Sequence, residues 1–258
     1  MMNYSRLTGT IALAKREILR FCVVWQQTLL PPLITSLLFL FIFGLSIGKR
    51  MNVSDWGASY LTFILPGLIT MHLISSAFEN TSSSLFIARW HNHIQEILLS
   101  PLSYFDMVLG MLIGGMTRAI TVAIGVYAIA NCFEIIPILH PWMALYYLIT
   151  LSMIFSCAGM AAALWAENFG MLSMWNIYVI TPCVFLGGVF NPIHILPDAI
   201  QPIARLNPMR FLVSGMRHSI TGIQDASPLL SAAIAGGLAL FCFLGILHLF
   251  RIGYKLRV

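Results

Sequence analysis

Phe86-Ile-Ala-Arg89-Trp-His-Asn92-His-Ile-Gln-Glu96-Ile-Leu-Leu-Ser-Pro101 is a polar-bearing stretch set between two strongly apolar segments. At the helical advance of about 100° per residue, Phe86, Trp90, Ile94 and Ile97 share one face, and Arg89, Asn92, Gln95 and Glu96 fall on others. The pattern predicts an amphipathic helix over 86–101, ended by Pro101, whose ring cannot continue it. With apolar segments on both sides, such a helix lies at a membrane surface and offers its polar side to a partner. The plainer alternative is a solvated connector.

Composition carries the reading outward. Of 258 residues, 59% are hydrophobic and 9% charged, against roughly 25% charged in a soluble domain. Apolar runs near the roughly 20 residues that cross a hydrocarbon core recur along the chain, so the expectation is an all-α polytopic membrane protein, a single transmembrane domain over 1–258. The net charge of +5 is spread over the flanks of these runs, which speaks for orientation and not for nucleic acid. Cys22, Cys132, Cys157, Cys183 and Cys242 stand singly in or beside apolar runs, as small hydrophobes do, without the spacing of metal ligands.

Residues 1–27 begin with a pattern that Lys15, Arg16, Glu17 and Arg20 keep from being a cleavable leader. Leu7, Ile11, Ala14, Ile18, Phe21 and Trp25 instead line one face of an expected interfacial helix, with Arg16 and Arg20 opposite. The expected spans are 28–48, 60–82, 104–131, 142–166, 171–190 and 229–250. Pro31 and Pro32 stand where the first span turns upward, a position that tolerates the missing donor. Gly110, Gly114, Arg118 and Gly125 on the third span, and Ser152, Ser156, Gly159 and Ala163 on the fourth, form small-residue faces that point into protein. Pro192, Pro197, Pro202 and Pro208 interrupt residues 191–227, yet Phe211, Leu212, Gly215, Met216 and Ile220 recur at helical intervals. Short helices that rest on the membrane, or dip partway into it, satisfy both features. Six spans put both ends on one side. Arg6, Lys15, Arg16, Arg20, Arg89, Arg251, Lys255 and Arg257 on that side outnumber Lys49, Arg50, Arg205, Arg210 and Arg217 on the other, which makes the ends cytoplasmic.

Few residues invite chemistry. Arg118 falls near mid-membrane, where an unpaired arginine costs about 2.5–3.5 kcal/mol on insertion scales, so it needs a partner. Glu79 is the nearest acid by topology, which predicts an intramembrane charge pair. His91 and His93 point to different helix faces and hold no metal. No Gly-x-Ser-x-Gly elbow is present. Gly44 to Arg50 is one residue short of a phosphate loop and lacks the Ser or Thr after Lys49. Neither a catalytic residue nor a cofactor is expected; if ATP drives this protein, another chain binds it.

Several local patterns, in order, resemble one family. They are Lys15 to Glu17 on the opening helix, Phe63-Ile64-Leu65-Pro66-Gly67 in the second span, Glu96 to Leu102 after the amphipathic helix, Gly187-Gly188-Val189-Phe190, and Leu206-Asn207-Pro208. Together they resemble the type-2 ATP-binding-cassette exporter permeases, and most of all the small bacterial inner-membrane permeases of the nodulation-factor, drug and polysaccharide group. The resemblance implies a permease that forms a homodimer and sits on two copies of a separate ATPase. Residues 86–101 would be the cytoplasmic coupling helix that meets that ATPase through Arg89, Asn92 and Glu96. Residues 191–227 would be the extracytoplasmic re-entrant helical hairpin, with Gly187, Gly188, Phe190, Asn207 and Pro208 at the outer gate. The substrate would be of the drug, lipid or saccharide class, carried across the inner membrane among membrane lipids. The competing reading is a membrane-embedded enzyme that acts on a lipid-linked substrate at Glu79 and Arg118; a passive channel or assembly factor is a third.

Overall fold

The computed structural model describes residues 2–47, 60–190 and 196–256. The expected end of the first span at Gly48, the loop Lys49–Ser59 and the opening of the expected hairpin at 191–195 lie outside the described residues. The chain is an all-α polytopic membrane protein. Among the described residues six helical stretches are long and apolar enough to cross a membrane: Trp25–Phe43, Tyr60–Trp90, Tyr104–Asn131, Pro141–Trp165, Phe169–Leu186 and Pro228–Ile252.

The organising element is the second span, α4 (Tyr60–Trp90), with 83% of an 18-residue apolar window along it buried inside the fold. A helix apolar all round is a helix with neighbours all round. It packs between α6 (Tyr104–Asn131) and α7 (Pro141–Trp165), and its N-terminal half also meets α11 (Pro208–Thr221). At the tightest crossing Thr81 Oγ1 donates to the carbonyl of Ser156 at 2.9 Å. A Cβ on Gly159 there would lie 2.5 Å from the Phe78 carbonyl oxygen. Close backbone approach of this kind is how helices gain packing energy in lipid.

α4 runs unbroken through 82–86, which corrects the expectation of a second span ending at Ser82 and one helix over 86–101. The chain turns instead at 91–93, where Asn92 takes φ 59°, a left-handed conformation that asparagine tolerates better than most residues. The short α5 (Ile94–Leu99) follows. The serines at 82–84 read as a surface end because their partners lie far off in sequence. Ser84 Oγ donates to Glu17 Oε2 at 2.6 Å, and Arg20 Nη2 donates to the Asn80 carbonyl at 2.7 Å.

Those partners sit on α1 (Met2–Val23), which packs along α6. Its buried stripe is Leu13, Ala14, Glu17 and Phe21. The expected face is corrected accordingly: Leu7, Ile11 and Trp25 are exposed, and Arg20 points inward, not away. The cause is the glycine row on α6. Leu13 packs at Gly110 and Glu17 at Gly114, and beyond the helix Leu33 packs at Gly125. That row points into protein, as do Ser152, Ser156 and Ala163 on α7.

The first span is a short α2 (Trp25–Thr28) and α3 (Leu30–Phe39), which widens into a π-helical stretch at Leu40–Ile47. Pro31 and Pro32 occupy the first turn of α3. The fifth span is likewise composite: α8 (Phe169–Met174), a π-helical stretch at Trp175–Ile180, then α9 (Thr181–Leu186). Beyond it come α10 (Gln201–Leu206), α11 and α12 (Pro228–Ile252). α11 buries Leu212, Met216 and Ile220 against α4, α7 and α12. After α12 the chain turns at Gly253 and places Leu256 in the same apolar cluster as Phe86, Ile94 and Ile97, so the chain end and α5 share one end of the bundle.

Candidate functional site

Between the first, second and fifth spans lies a cavity of about 360 Å³, walled by Thr28 and Pro31, by His72, Ser75, Ser76 and Glu79, and by Thr181 and Phe185. Arg118 reaches into it from α6. Its Nη2 donates to Glu79 Oε2 at 3.3 Å and to the Thr28 carbonyl at 3.4 Å. The other carboxylate oxygen of Glu79 accepts from Asn176 Nδ2 at 3.1 Å, and Asn176 stands on the π-helical stretch of the fifth span. One polar chain thus joins four spans at this cavity. The two charges are unequally placed, with 8% of the Arg118 side chain exposed and 49% of the Glu79 side chain. A half-exposed carboxylate tolerates rearrangement, whereas a buried guanidinium does not.

At the far end of the fifth span Gly187 closes α9 and Gly188 takes φ 87°. Gly67 on α4 lets this turn press in, since a Cβ there would lie 2.5 Å from the Val189 carbonyl oxygen. Phe190 sits among aromatic rings from two spans, 5.3 Å from Phe39 and 5.1 Å from Phe185 between centroids. Asn207 caps α11 by accepting from Met209 N at 3.0 Å and donates its amide to the Cys183 carbonyl, while Pro208 opens the helix. The structure therefore brings Gly187, Gly188, Phe190, Asn207 and Pro208 to one end of the fifth span.

The residue that ties this end together is Arg217, read from sequence as a surface charge but 1% exposed. Its Nη2 donates to the Gly188 carbonyl at 2.6 Å, its Nε to the Phe63 carbonyl at 3.3 Å, and its Nη1 to the Asp225 carboxylate. The guanidinium carbon lies 3.9 Å from the centroid of the Phe63 ring. Burial pulls its pKa down from the ordinary arginine value, and Asp225 opposes that shift. A sequence signal existed: Arg217 falls on the apolar face of α11, beside Val213, Met216 and Ile220, where a lone charge needs a buried acceptor.

At the opposite end, Arg89 does not stand free, contrary to its expected cytoplasm-facing placement. Its Nη1 donates to the carbonyls of Ala163, Leu164 and Ala166, closing the C-terminus of α7. Trp90 is 57% exposed instead of buried, although it stacks on Phe86. Asn92 and Glu96 are exposed, Glu96 beside His93 at 3.4 Å, while Ile94 and Ile97 anchor α5 beneath the bundle. Leu99 protrudes at 86% exposure.

Comparison with known proteins agrees with this architecture. The model of the ABC-2 type transporter family matches residues 8–221. The chain is 38% identical over 211 residues to the inner membrane transport permease YadH of Escherichia coli (strain K12), covering 81% of this chain and 82% of that protein. It is 26% identical over 238 residues to nodulation protein J of Rhizobium meliloti (strain 1021), covering 90% and 87%. With six apolar spans among its described residues and a family match over most of its length, the chain belongs to the ABC-2 type transporter family.

Proposed function

We propose that this chain is the membrane subunit of an ATP-driven exporter in the bacterial inner membrane, with both termini cytoplasmic. It works as a homodimer on two copies of a separate ATPase and moves a substrate of the drug, lipid or saccharide class. The observation that carries the reading is the position of the polar cavity. It opens between two spans that the chain itself leaves bare, since only 11% of the first span and 17% of the fifth are buried. A second copy placed against them would turn a side groove into a shared route. The inner-membrane permease among the relatives supports the location.

The ATPase would meet the exposed turn and short helix at 91–99, where Asn92, Glu96 and Leu99 offer polar and apolar contacts. Arg89 would act there by fixing the end of α7 against α4 and not by touching the partner. Gly187, Gly188, Phe190, Asn207 and Pro208 would form the outer gate, held by Arg217. Affinity purification in a mild detergent tests the assembly. An ATPase with a phosphate-binding loop should come with the chain in equal amounts, and a permease recovered alone at every detergent concentration argues against it. The reading also requires such an ATPase to be encoded in a neighbouring frame, which the lipid-linked enzyme alternative does not.

A further inference from the structure

We infer that the cavity between the first, second and fifth spans is an oxyanion site built on Arg118, for a substrate carrying a carboxylate or phosphate. The inference deepens the permease reading and rests on it. Guanidinium groups hold oxyanions through paired donors on one edge, and Nε with one Nη forms such an edge. In Arg118 that edge is poorly used. Its Nη2 contacts, 3.3 Å to Glu79 and 3.4 Å to the Thr28 carbonyl, lie at the long end of hydrogen-bond distances. Its Nε has no partner among the described residues, although Arg118 is only 7% exposed. A donor left open in a buried site is costly, and a ligand oxygen at Nε would remove that cost.

His72 adds a second unspent group on the same wall. It is 7% exposed, it lines the cavity, and its Nε2 likewise lacks a partner. The hydroxyls of Ser75 and Ser76 stand on the same helix and the same cavity. Arginine and hydroxyl donors converge here with one carboxylate, and that carboxylate is free to yield. Glu79 keeps half its side chain exposed and has a separate contact from Asn176, so a ligand that takes Arg118 leaves Glu79 still bonded and not buried. A cationic ligand produces the opposite result: by taking Glu79 it strands a buried guanidinium. The asymmetry of the pair therefore selects for an oxyanion.

The test uses the full chain purified in dodecyl maltoside, whose head group is uncharged. Thermal unfolding is followed by tryptophan fluorescence while dodecyl phosphate, inorganic phosphate or dodecyltrimethylammonium is titrated in. Dodecyl phosphate should raise the midpoint saturably, and the ammonium should not. Stabilisation by inorganic phosphate as well would identify a soluble oxyanion, and stabilisation by dodecyl phosphate alone a lipid-borne one; both outcomes support the site. Glu79→Gln removes the competitor and should melt lower by itself yet bind dodecyl phosphate about tenfold tighter, the size of one charge-assisted contact. Glu79→Asp, which withdraws the carboxylate by one methylene, should move affinity the same way and less, and serves if the glutamine variant does not fold. Arg118→Lys keeps the charge but loses the edge, and should weaken binding about tenfold. Unchanged or weaker binding in Glu79→Gln and Glu79→Asp, or equal stabilisation by the ammonium, overturns the inference. Because no ATPase takes part, a negative result here leaves ATPase co-purification, and with it the permease reading, standing.

Discussion

Arg217 is the side chain that this fold should least tolerate losing. It donates to three carbonyls and one carboxylate from three separate segments, and its removal leaves Asp225 without its ion partner and Gly188 without its donor. Truncating one member of a buried pair costs about 3–5 kcal/mol. Arg217→Ala should therefore melt well below the parent in detergent, and Arg217→Ala with Asp225→Asn should recover part of that loss; strictly additive losses would mean the pair is not coupled. Glu79 and Arg118 invite the same cycle with an unequal outcome. Glu79→Gln strands a buried cation, whereas Arg118→Leu leaves a half-exposed carboxylate that still holds Asn176. Glu79→Gln should thus be the worse single change for stability in the absence of anion, and the double variant should lie about 0.5–3 kcal/mol above the additive sum. Equal losses for the two single variants would contradict the asymmetric burial.

Among the elements, α5 and the turn before it separate two roles that the sequence merged. Glu96 is 79% exposed and has only His93 beside it, so its surroundings in the fold lose little when it changes. Glu96→Lys should leave the melting midpoint unchanged and weaken ATPase co-purification about tenfold, the size of one lost charge-assisted contact. Arg89→Ala should do the reverse, lowering the midpoint because three α7 carbonyls lose their donor. An Arg89→Ala protein that melts normally but sheds the ATPase would restore Arg89 to the docking surface. The difference was not legible in the sequence because periodicity runs straight through the turn: Phe86, Trp90, Ile94 and Ile97 keep helical spacing across His91-Asn92-His93, and one left-handed residue breaks the helix without breaking the pattern. Likewise the serines at 82–84 looked like a helix end because a polar run gives no hint of Glu17 and Arg20, more than 60 positions earlier, waiting to cover it. The small-residue rows on α6 and α7 were legible, because in lipid such spacing has a packing use that does not depend on knowing the partner.

For the whole molecule, the six spans were legible because uninterrupted hydropathy is itself the requirement for crossing hydrocarbon. The orientation rests on charge placement and needs a direct test. In a version lacking native cysteines, Gln224→Cys should react with an impermeant thiol reagent in intact cells, and Asn92→Cys only after permeabilisation; the opposite pattern would invert the topology. Arg217 now carries no weight in that charge bias, since it is buried. It gains a mechanical meaning instead. The fifth span is bolted at its C-terminal end, where Gly188 is held by Arg217 and the turn is pressed onto Gly67, and along its length only Leu172, Ile180 and Val184 are buried. A rod of 18 residues fixed at one end has about 27 Å of reach, so a tilt of roughly 10° about that bolt carries its other end through roughly 5 Å. Spin labels paired with one on α7 should register a wider spread of distances at Ser173 than at Phe185, and equal spreads would rule the pivot out. A pivot at Gly188 would make the fifth span a lever, its long arm ending at Phe169 beside the rings of Phe86 and Trp90.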